Sequence, residues 1–194
     1  QKGLITEAQL DISLKRLFTV RYRLGLFDTQ HKNPYANQPK SLLEAPEHGA
    51  HALELARQSM VLLRNEKKLL PLSSRKKYKI LLVGPNADNE TTQLGNYNGF
   101  PTRNVTLLDA LRAEPNVEVV YDPLTDFTTW KNETRIDSLM EQCRDIDLVL
   151  FAGGISPTLE GEQGDAGGNG IEGFRDGDRT TIALPKVQTQ AMQE

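Results

Sequence analysis

Residues 77–87 read KYKILLVGPNA, and this stretch decides the fold. Its centre, residues 80–83, is apolar at every position rather than at alternate positions. A strand that is apolar on both faces is typical of the middle of a parallel sheet that helices cover on both sides. Gly84 and Pro85 then break the pattern. The stretch therefore predicts a central strand of an α/β domain.

The sequence that follows alternates between helical and strand patterns. Helices are predicted at 105–114 and 133–145, and strands at 117–123 and 146–154. The last residues, VQTQAMQE, begin another helical pattern. Alternation at this spacing predicts an α/β fold: a partial, open, mostly parallel sheet with flanking helices.

Two helical patterns precede the sheet, at 5–27 and 47–66. In the first, Thr6 stands at the N-cap with Gln9 at the capping-box position, and Gly25 is a stop signal. The polar, proline-containing segment between the two helices is typical of a linker. Because both ends of the sequence fall inside helical patterns, we expect it to be a piece of a longer protein.

Composition limits the function classes. The chain has 194 residues, of which 25% are charged and 38% apolar, and its net charge is −3. These values suit a globular protein and give no clustered basic surface for nucleic acid. No apolar stretch reaches the length of about 18 residues that a membrane-spanning helix needs. With Cys143 as the single cysteine, no disulfide within the chain is possible.

An acidic loop follows the strand pattern at 146–154. Residues 159–164 read LEGEQG, which places Glu160 and Glu162 between glycines. In open α/β sheets, ligands bind beyond the carboxyl ends of the strands. A partly desolvated carboxyl group there can hold a proton near neutral pH and donate it to a leaving oxygen. The pattern equally allows two solvated loop charges.

Other residue groups give weaker signals. Tyr97, in the loop GNYNG after the first strand, is a candidate for stacking on a sugar face. His48 and His51 stand three residues apart, but no third ligand has suitable spacing, so no metal site is predicted. The segment VGPNADN lacks both glycine-rich phosphate-binding arrangements. We therefore predict no cofactor.

Several motifs together resemble glycoside hydrolase family 3. The segment 3–28, ending RLGLFD, is similar to the last helix of that family's N-terminal (β/α)8-type domain, and 48–72 to the first helix of its second domain. The segments KILLVGPNAD and LGNYNG resemble its first strand and the following loop. LEGE at 159–162, followed by GDRTTIALPKVQ at 177–188, resembles its acid–base region.

The resemblance implies a division into domains. Residues 1–28 are expected to be the C-terminal helix of the barrel domain, and 29–46 the interdomain linker. Residues 47–194 are expected to be the first part of the C-terminal α/β sandwich. The rest of the barrel domain is then a missing partner of the same longer chain.

The resemblance also implies an activity. Family members are retaining, exo-acting β-glycosidases with an Asp nucleophile in the barrel domain and a Glu acid/base in the sandwich. In this chain Glu162 is the expected acid/base and Glu160 the alternative, with Asp165 or Glu172 as further options because a segment is inserted before GDR. Asp178 and Arg179 are expected to support the loop through an ion pair and hydrogen bonds. The substrate is expected to be a glycoside or oligosaccharide with terminal β-linked glucose or xylose.

Two further expectations follow from the resemblance. The full-length enzyme is expected to be secreted or periplasmic, and the isolated chain to be inactive without the nucleophile. A rival interpretation is a non-catalytic flavodoxin-like or Rossmann-like module that binds a small molecule. That interpretation explains the alternating elements but not the helix–linker–helix run at the start.

Overall fold

A computed structural model describes residues 3–29, 32–33, 35–95, 97–131, 135–142, 144–164 and 167–194. The chain forms two compact units, residues 1–61 and 62–194. The assignment of residues 1–28 to a barrel helix, 29–46 to a linker and 47–194 to the sandwich stays a prediction.

The first unit contains two helices, α1 (Glu7–Arg23) and α2 (Pro46–Ser59). The predicted capping box of α1 is confirmed: the Gln9 backbone N–H donates to the Thr6 hydroxyl, and the Thr6 backbone N–H donates to the Gln9 side chain at 2.8 Å. After α1, Gly25 adopts a φ of 71°, which favours glycine. No residue of either helix is buried.

Helix α2 is shorter than the predicted helix at 47–66. It ends at Ser59, and Met60 is extended with φ −74° and ψ 128°. The side chain of Asn65 both accepts from and donates to the backbone of Leu70, at 3.1 and 2.7 Å. These two hydrogen bonds stabilise the turn at residues 65–70, whereas residues 60–65, predicted as helix, form neither helix nor strand.

The second unit is built on a parallel three-stranded sheet. Its strands are β1 (Tyr78–Val83), β2 (Val117–Asp122) and β3 (Leu148–Phe151), in the order β2-β1-β3. Strand β1 is central, as its apolar run predicts. Val83 aligns with both Asp122 and Phe151, so the three strands end at the same level.

Helices cover both faces of the sheet. They are α3 (Leu107–Ala113), α4 (Ile136–Gln142) and α5 (Lys186–Ala191). Leu82 packs with Leu108 of α3 on one face, and Leu81 packs with Leu139 of α4 on the other. Successive residues of β1 therefore face opposite cores, which explains why β1 has no polar side. Full burial of each such side chain contributes about 1.5–3 kcal/mol. The predicted α/β architecture is confirmed.

A short hairpin follows the sheet, formed by β4 (Phe174–Arg175) and β5 (Asp178–Arg179). Its two-residue loop is Asp176-Gly177, with φ values of 54° and 91°. Positive φ at both central residues is typical of a type I′ turn, for which Asp-Gly is a preferred sequence. This hairpin was not predicted from the sequence.

Among the helices of the described ranges, none combines the length and the apolar character needed to cross a lipid bilayer. Cys143 and Asp165 lie outside the described residues.

Candidate functional site

The candidate site lies at the carboxyl edge of the sheet. The chain passes from β1 to its neighbour β2 and then returns across β1 to form β3 on the opposite side. The loops that follow β1 and β3 therefore diverge around a topological switch point, where open α/β sheets bind their ligands. This strand order also occurs in flavodoxin-like binding modules. The fold alone does not separate the two interpretations of the sequence.

Asn86 bridges the loops after β1 and β3. Its backbone N–H donates to the carbonyl of Ala152 at 3.0 Å, and its Nδ2 donates to the carbonyl of Gly153 at 2.9 Å. Its Oδ1 accepts a hydrogen bond from the hydroxyl of Thr92 at 2.9 Å. A single amide side chain thus fixes the start of the loop after β3 against the loop after β1.

Gln188 holds the same loop from helix α5. Its side chain is fully buried, and its Nε2 donates to the carbonyls of Phe127 and Gly154 at 2.8 and 2.6 Å. Its Oε1 accepts from the Gly154 N–H at 2.8 Å. Since Phe127 lies in the segment after β2, Gln188 joins the segments that follow β2 and β3.

The loop then turns at Ser156. Ser156 is buried, its hydroxyl lies 2.6 Å from that of Thr158, and its carbonyl accepts from the backbone N–H groups of Leu159 and Glu160. Glu160 is half-buried, and Glu162, flanked by Gly161 and Gln163, is exposed. The two predicted acid/base candidates therefore occupy different environments on one short loop.

The insertion after Glu162 closes on itself. The N–H of Gly161 donates to the carbonyl of Gly177 at 2.9 Å, and the N–H of Gly164 donates to that of Asp176 at 2.7 Å. The chain thus leaves the loop and returns beside it through the β4–β5 hairpin. As a result, the segment with Glu160 and Glu162 lies next to residues 176–178. In sequence, the two glutamates precede these residues by 14 to 18 positions.

Arg179 makes three contacts that organise the returning segment. Its Nε donates to the carbonyl of Thr181 at 3.1 Å, and its Nη2 donates to the carbonyl of Ala183. Its guanidinium group also lies over the ring of Phe174, 4.5 Å from the ring centroid. Asp178 pairs through its backbone with Arg175 in the hairpin. Among the described residues, no ion pair joins Asp178 to Arg179.

The remaining candidates lie apart from this loop in sequence. Tyr97 is in the loop after β1, with 87% of its surface exposed and a φ of 55°. Glu172 forms an exposed ion pair with Lys186 at 2.7 Å. His48 and His51 are exposed on α2. Within the described ranges, no three His, Cys, Asp or Glu residues group together in a way that could hold a metal ion.

The resolved pKa shifts lie mostly at the opposite, amino edge of the sheet. The backbone N–H of Lys79 and the ammonium of Lys76 donate to Asp147 and lower the pKa of its carboxyl group. The ammonium of Lys79 lowers the pKa of Asp145 in the same way. On β2, burial raises the pKa of the Tyr121 hydroxyl, and Asp88 adds to this effect. The amino edge is therefore a charged, hydrogen-bonded seam, separate from the acidic loop.

Residues 60–194 match the family model described as the glycosyl hydrolase family 3 C-terminal domain. The chain belongs to glycosyl hydrolase family 3. This family was predicted from the sequence motifs, and the prediction is confirmed.

Relatives in family 3 extend the match toward the start of the chain. The chain is 37% identical over 191 residues to the probable beta-D-xylosidase 7 of Arabidopsis thaliana, covering 98% of this chain and 23% of that protein. It is 38% identical over 131 residues to the xylan 1,4-beta-xylosidase of Xylanibacter ruminicola, covering 68% of this chain and 15% of that protein.

A solved structure of the same family matches the fold. The beta-glucosidase of Listeria innocua in complex with isofagomine superimposes with a TM-score of 0.74 at 27% identity, covering 98% of this chain and 24% of that one. The chain thus spans less than a quarter of the length of each of these three proteins.

Sequence reasoning missed two residues of the site, Asn86 and Gln188. Gln188 closes the motif GDRTTIALPKVQ, so it was quoted, but no property of the pattern marked its buried amide as a contact to the acidic loop. Asn86 lies in VGPNADN, a segment examined only for phosphate binding. Asn86 stands two residues after Gly84, the glycine that ends the strand pattern. An asparagine at such a turn is the signal that could have identified Asn86 as a site residue.

Proposed function

We propose that this chain is the part of a retaining, exo-acting β-glycosidase that supplies the general acid/base catalyst. The single observation that carries the proposal is the placement of the acidic loop. It leaves the sheet at the β1/β3 switch point, and Asn86 and Gln188 hold its start. Family membership supports the reaction class, and the two xylosidases among the relatives favour terminal β-linked xylose over glucose.

The chemistry requires a carboxyl group that changes protonation state twice. In the first step the acid donates its proton to the glycosidic oxygen while that oxygen's bond to the anomeric carbon breaks and a nucleophilic carboxylate bonds to the same carbon. In the second step the resulting carboxylate takes a proton from water, and the water oxygen displaces the nucleophile. Retention requires the two carboxyl groups to lie about 5–5.5 Å apart.

The nucleophile is proposed to come from a barrel-type domain of the same longer protein. Supplying half of the site from each domain fits a loop at a sheet edge, because such a loop can project toward a neighbouring surface. The 194 residues alone are then expected not to hydrolyse glycosides. Measurable turnover of an aryl β-glycoside by this chain in isolation would contradict the proposal.

Glu162 is the first candidate for the acid/base and Glu160 the second. Glu162 is exposed and stands between Gly161 and Gly164, whose backbones are both anchored to the returning segment. In this arrangement the exposed Glu162 side chain projects from a backbone segment that hydrogen bonds hold in place. Glu160 is half-buried, which limits its reach.

The test uses the full-length enzyme that contains this sequence. Glu162→Ala and Glu160→Ala are each assayed on dinitrophenyl and methoxyphenyl β-xylosides and β-glucosides, with and without azide. The acid/base variant should lose kcat/KM mainly on the methoxyphenyl substrate, whose poor leaving group needs protonation, and should form a glycosyl azide when azide is added. Glu172→Ala tests the further option at that position and should retain activity, because the Glu172 carboxylate is held in an ion pair with Lys186. If neither Glu160 nor Glu162 shows this pattern, the proposal is wrong.

The full-length enzyme is also proposed to be secreted or periplasmic. Glycosides with terminal xylose or glucose are released from polymers too large to enter a cell freely, so an enzyme that acts on them fits such a location. Fractionation of cells that express the full-length protein, with activity measured in each fraction, tests the point.

A further inference from the structure

Gln188 is a polar side chain with no contact to solvent. Its exposed fraction is 0%, and burying an amide without partners would be costly. All of its hydrogen-bonding capacity as a donor is used, because an amide nitrogen has two N–H groups and both are engaged, one by Phe127 and one by Gly154. Its oxygen accepts from Gly154. The buried amide therefore joins the backbone of Gly154 to that of Phe127.

The Gln188 amide binds both backbone groups of Gly154: it accepts from the Gly154 N–H and donates to the Gly154 C=O. A side chain that makes this pair of bonds fixes both peptide groups that flank the residue. Gly154 itself has a φ of 129°, and a Cβ on Gly153 would lie 3.0 Å from the Gln188 oxygen and 2.6 Å from the Phe151 ring. The two glycines therefore allow the amide to approach the chain closely.

Asn86, in the loop after β1, binds the two residues that precede Gly154. It bonds to the carbonyls of Ala152 and Gly153, and Thr92 in turn orients its side chain. Residues 152–154 thus lie between two amides, one from the loop after β1 and one from α5. We call Asn86 and Gln188 the amide clamp.

The clamp is connected to the acidic loop by a short, bonded path. Only Ile155 separates Gly154 from Ser156, and the Ser156 carbonyl accepts from the N–H groups of Leu159 and Glu160. The turn between Gly154 and Glu160 has few free dihedral angles. The direction in which the loop leaves the sheet therefore determines where Glu160 and Glu162 lie.

We propose that Asn86 and Gln188 are positioning residues for the acid/base catalyst. They fix the departure of the loop from the sheet, so that the carboxyl group is held within reach of the glycosidic oxygen. This inference rests on the proposed function of the loop. Neither amide touches the substrate in this scheme; both act through the backbone of residues 152–154.

The kinetic signature follows from the role of a general acid. A misplaced acid lowers kcat/KM, which reports the first step, only for substrates whose leaving group needs a proton, and a displacement of about 1 Å can reduce a rate roughly 100-fold. Loss of folded enzyme reduces the rate on every substrate equally. The ratio of rates on the two substrates therefore separates positioning from stability.

The experiment compares Gln188→Met with Gln190→Met in the full-length enzyme. Methionine keeps the approximate length of glutamine and removes all three hydrogen bonds, whereas Gln190 is exposed on the same helix. For Gln188→Met we expect kcat/KM on the methoxyphenyl glycoside to fall roughly 10- to 100-fold, with kcat/KM on the dinitrophenyl glycoside within about threefold of wild type. Gln190→Met should change neither value. Asn86→Leu should behave like Gln188→Met.

Equal reductions on both substrates, or no reduction, would overturn the proposal. The result is interpreted beside Glu160→Ala and Glu162→Ala. If neither glutamate variant depends on the leaving group, the proposed function fails first. If one of them does and the clamp variants do not, only the positioning role fails.

A measurement on the wild-type enzyme covers the case in which the clamp variants do not fold. Amide hydrogen exchange is followed for Gly154, whose N–H donates to the buried Gln188 oxygen. The clamp requires this amide to exchange far more slowly than the amide of Gln163, which lies on the exposed part of the loop. Exchange of Gly154 at the rate of an unprotected peptide would show that the clamp does not hold the loop, and the proposal would be wrong.

Discussion

Gly161 donates its backbone N–H to the carbonyl of Gly177 at 2.9 Å, and this bond closes the insertion that follows the acidic loop. The inserted residues are therefore an excursion whose two ends lie side by side. This explains how a chain with an extended gap between LEGE and GDR can keep both motifs in one place. The hairpin turn at Asp176-Gly177 is the element that brings the chain back.

The hairpin turn gives the first prediction. Gly177 has a φ of 91°, a conformation that costs an ordinary residue about 1–2 kcal/mol. Gly177→Ala should therefore lower the free energy of unfolding by roughly that amount, measured with urea and the fluorescence of Trp130. Trp130 is the single tryptophan of the chain and packs against the core of the second unit.

The control for this prediction is Gly177→Asn. Asparagine tolerates the left-handed region better than alanine, so this variant should lose less stability. Equal losses for the two variants would mean that φ is not the cause.

Gly84 gives the second prediction. It follows β1 with a φ of 103°, and a Cβ there would lie 2.6 Å from the carbonyl oxygen of Ala152. Backbone strain and this contact together should make Gly84→Ala destabilising by about 2–4 kcal/mol in the same unfolding measurement. Because the displaced backbone is residue 152, the variant should also disturb the loop that Asn86 holds.

Gly99→Ala is the matched control for Gly84→Ala. A Cβ on Gly99 meets nothing within 4 Å, and its φ lies outside the left-handed region. This variant should stay close to wild-type stability. A comparable loss at both positions would contradict the steric argument.

The sheet was predictable because each strand carries its own signal. The apolar run of residues 80–83 indicates burial on both faces, and the structure places Leu81 and Leu82 in opposite cores. The capping box of Thr6 and Gln9 was predictable for a similar reason, since all of its atoms lie within one helical turn. Local patterns with local partners can be interpreted without knowledge of the tertiary structure.

The end of α2 and the clamp were not predictable in this way. The apolar residues after Ser59 continue the helical periodicity, yet Met60 is extended and residues 60–65 are not helical. Gln188 bonds to Gly154 and Phe127, 34 and 61 residues earlier in the chain. A periodic pattern carries no information about such distant partners. The β4–β5 hairpin was predictable in principle, because Asp176-Gly177 is a preferred type I′ pair.

Asp122 gives the third prediction. It is only 6% exposed, its Oδ1 accepts from the Leu124 N–H at 2.8 Å, and its Oδ2 lies 3.1 Å from a nitrogen of Arg135. Removal of the carboxylate leaves the Leu124 N–H without its acceptor in a turn where Leu124 has a φ of 58°. Asp122→Ala should therefore lower the free energy of unfolding by roughly 2–3 kcal/mol.

Two companion variants separate the contributions at Asp122. Asp122→Asn keeps an acceptor for Leu124 and should lose less. Arg135→Met removes only the ion pair, and because the Arg135 side chain is about half exposed it should cost less than Asp122→Ala. If Arg135→Met were the most damaging of the three, the backbone hydrogen bond would not be the main contribution.

The charged seam at the amino edge of the sheet gives a pH-dependent prediction. Asp147 accepts from the Lys79 backbone N–H and from the Lys76 ammonium, each at 2.9 Å, and both bonds lower its pKa from the usual value of 3.8. A carboxyl group with a lowered pKa in the folded state stabilises that state above its unfolded pKa and loses this contribution as the pH falls through its folded pKa. The stabilisation is therefore complete above pH 3.8 and declines below it.

Unfolding measured from about pH 2 to about pH 7 tests this expectation. Wild type should lose stability as the pH falls below 3.8, whereas Asp147→Asn should start less stable at neutral pH and show a flatter acid limb, so that the two curves converge. Because these side chains are solvent-exposed, added salt should weaken the Lys76 part of the difference more than the part due to the Lys79 backbone bond. Asp11→Asn, on the exposed surface of α1, is the matched control and should stay close to wild-type stability at neutral pH. Parallel curves for wild type and Asp147→Asn would show that this seam does not contribute to the acid sensitivity of the fold.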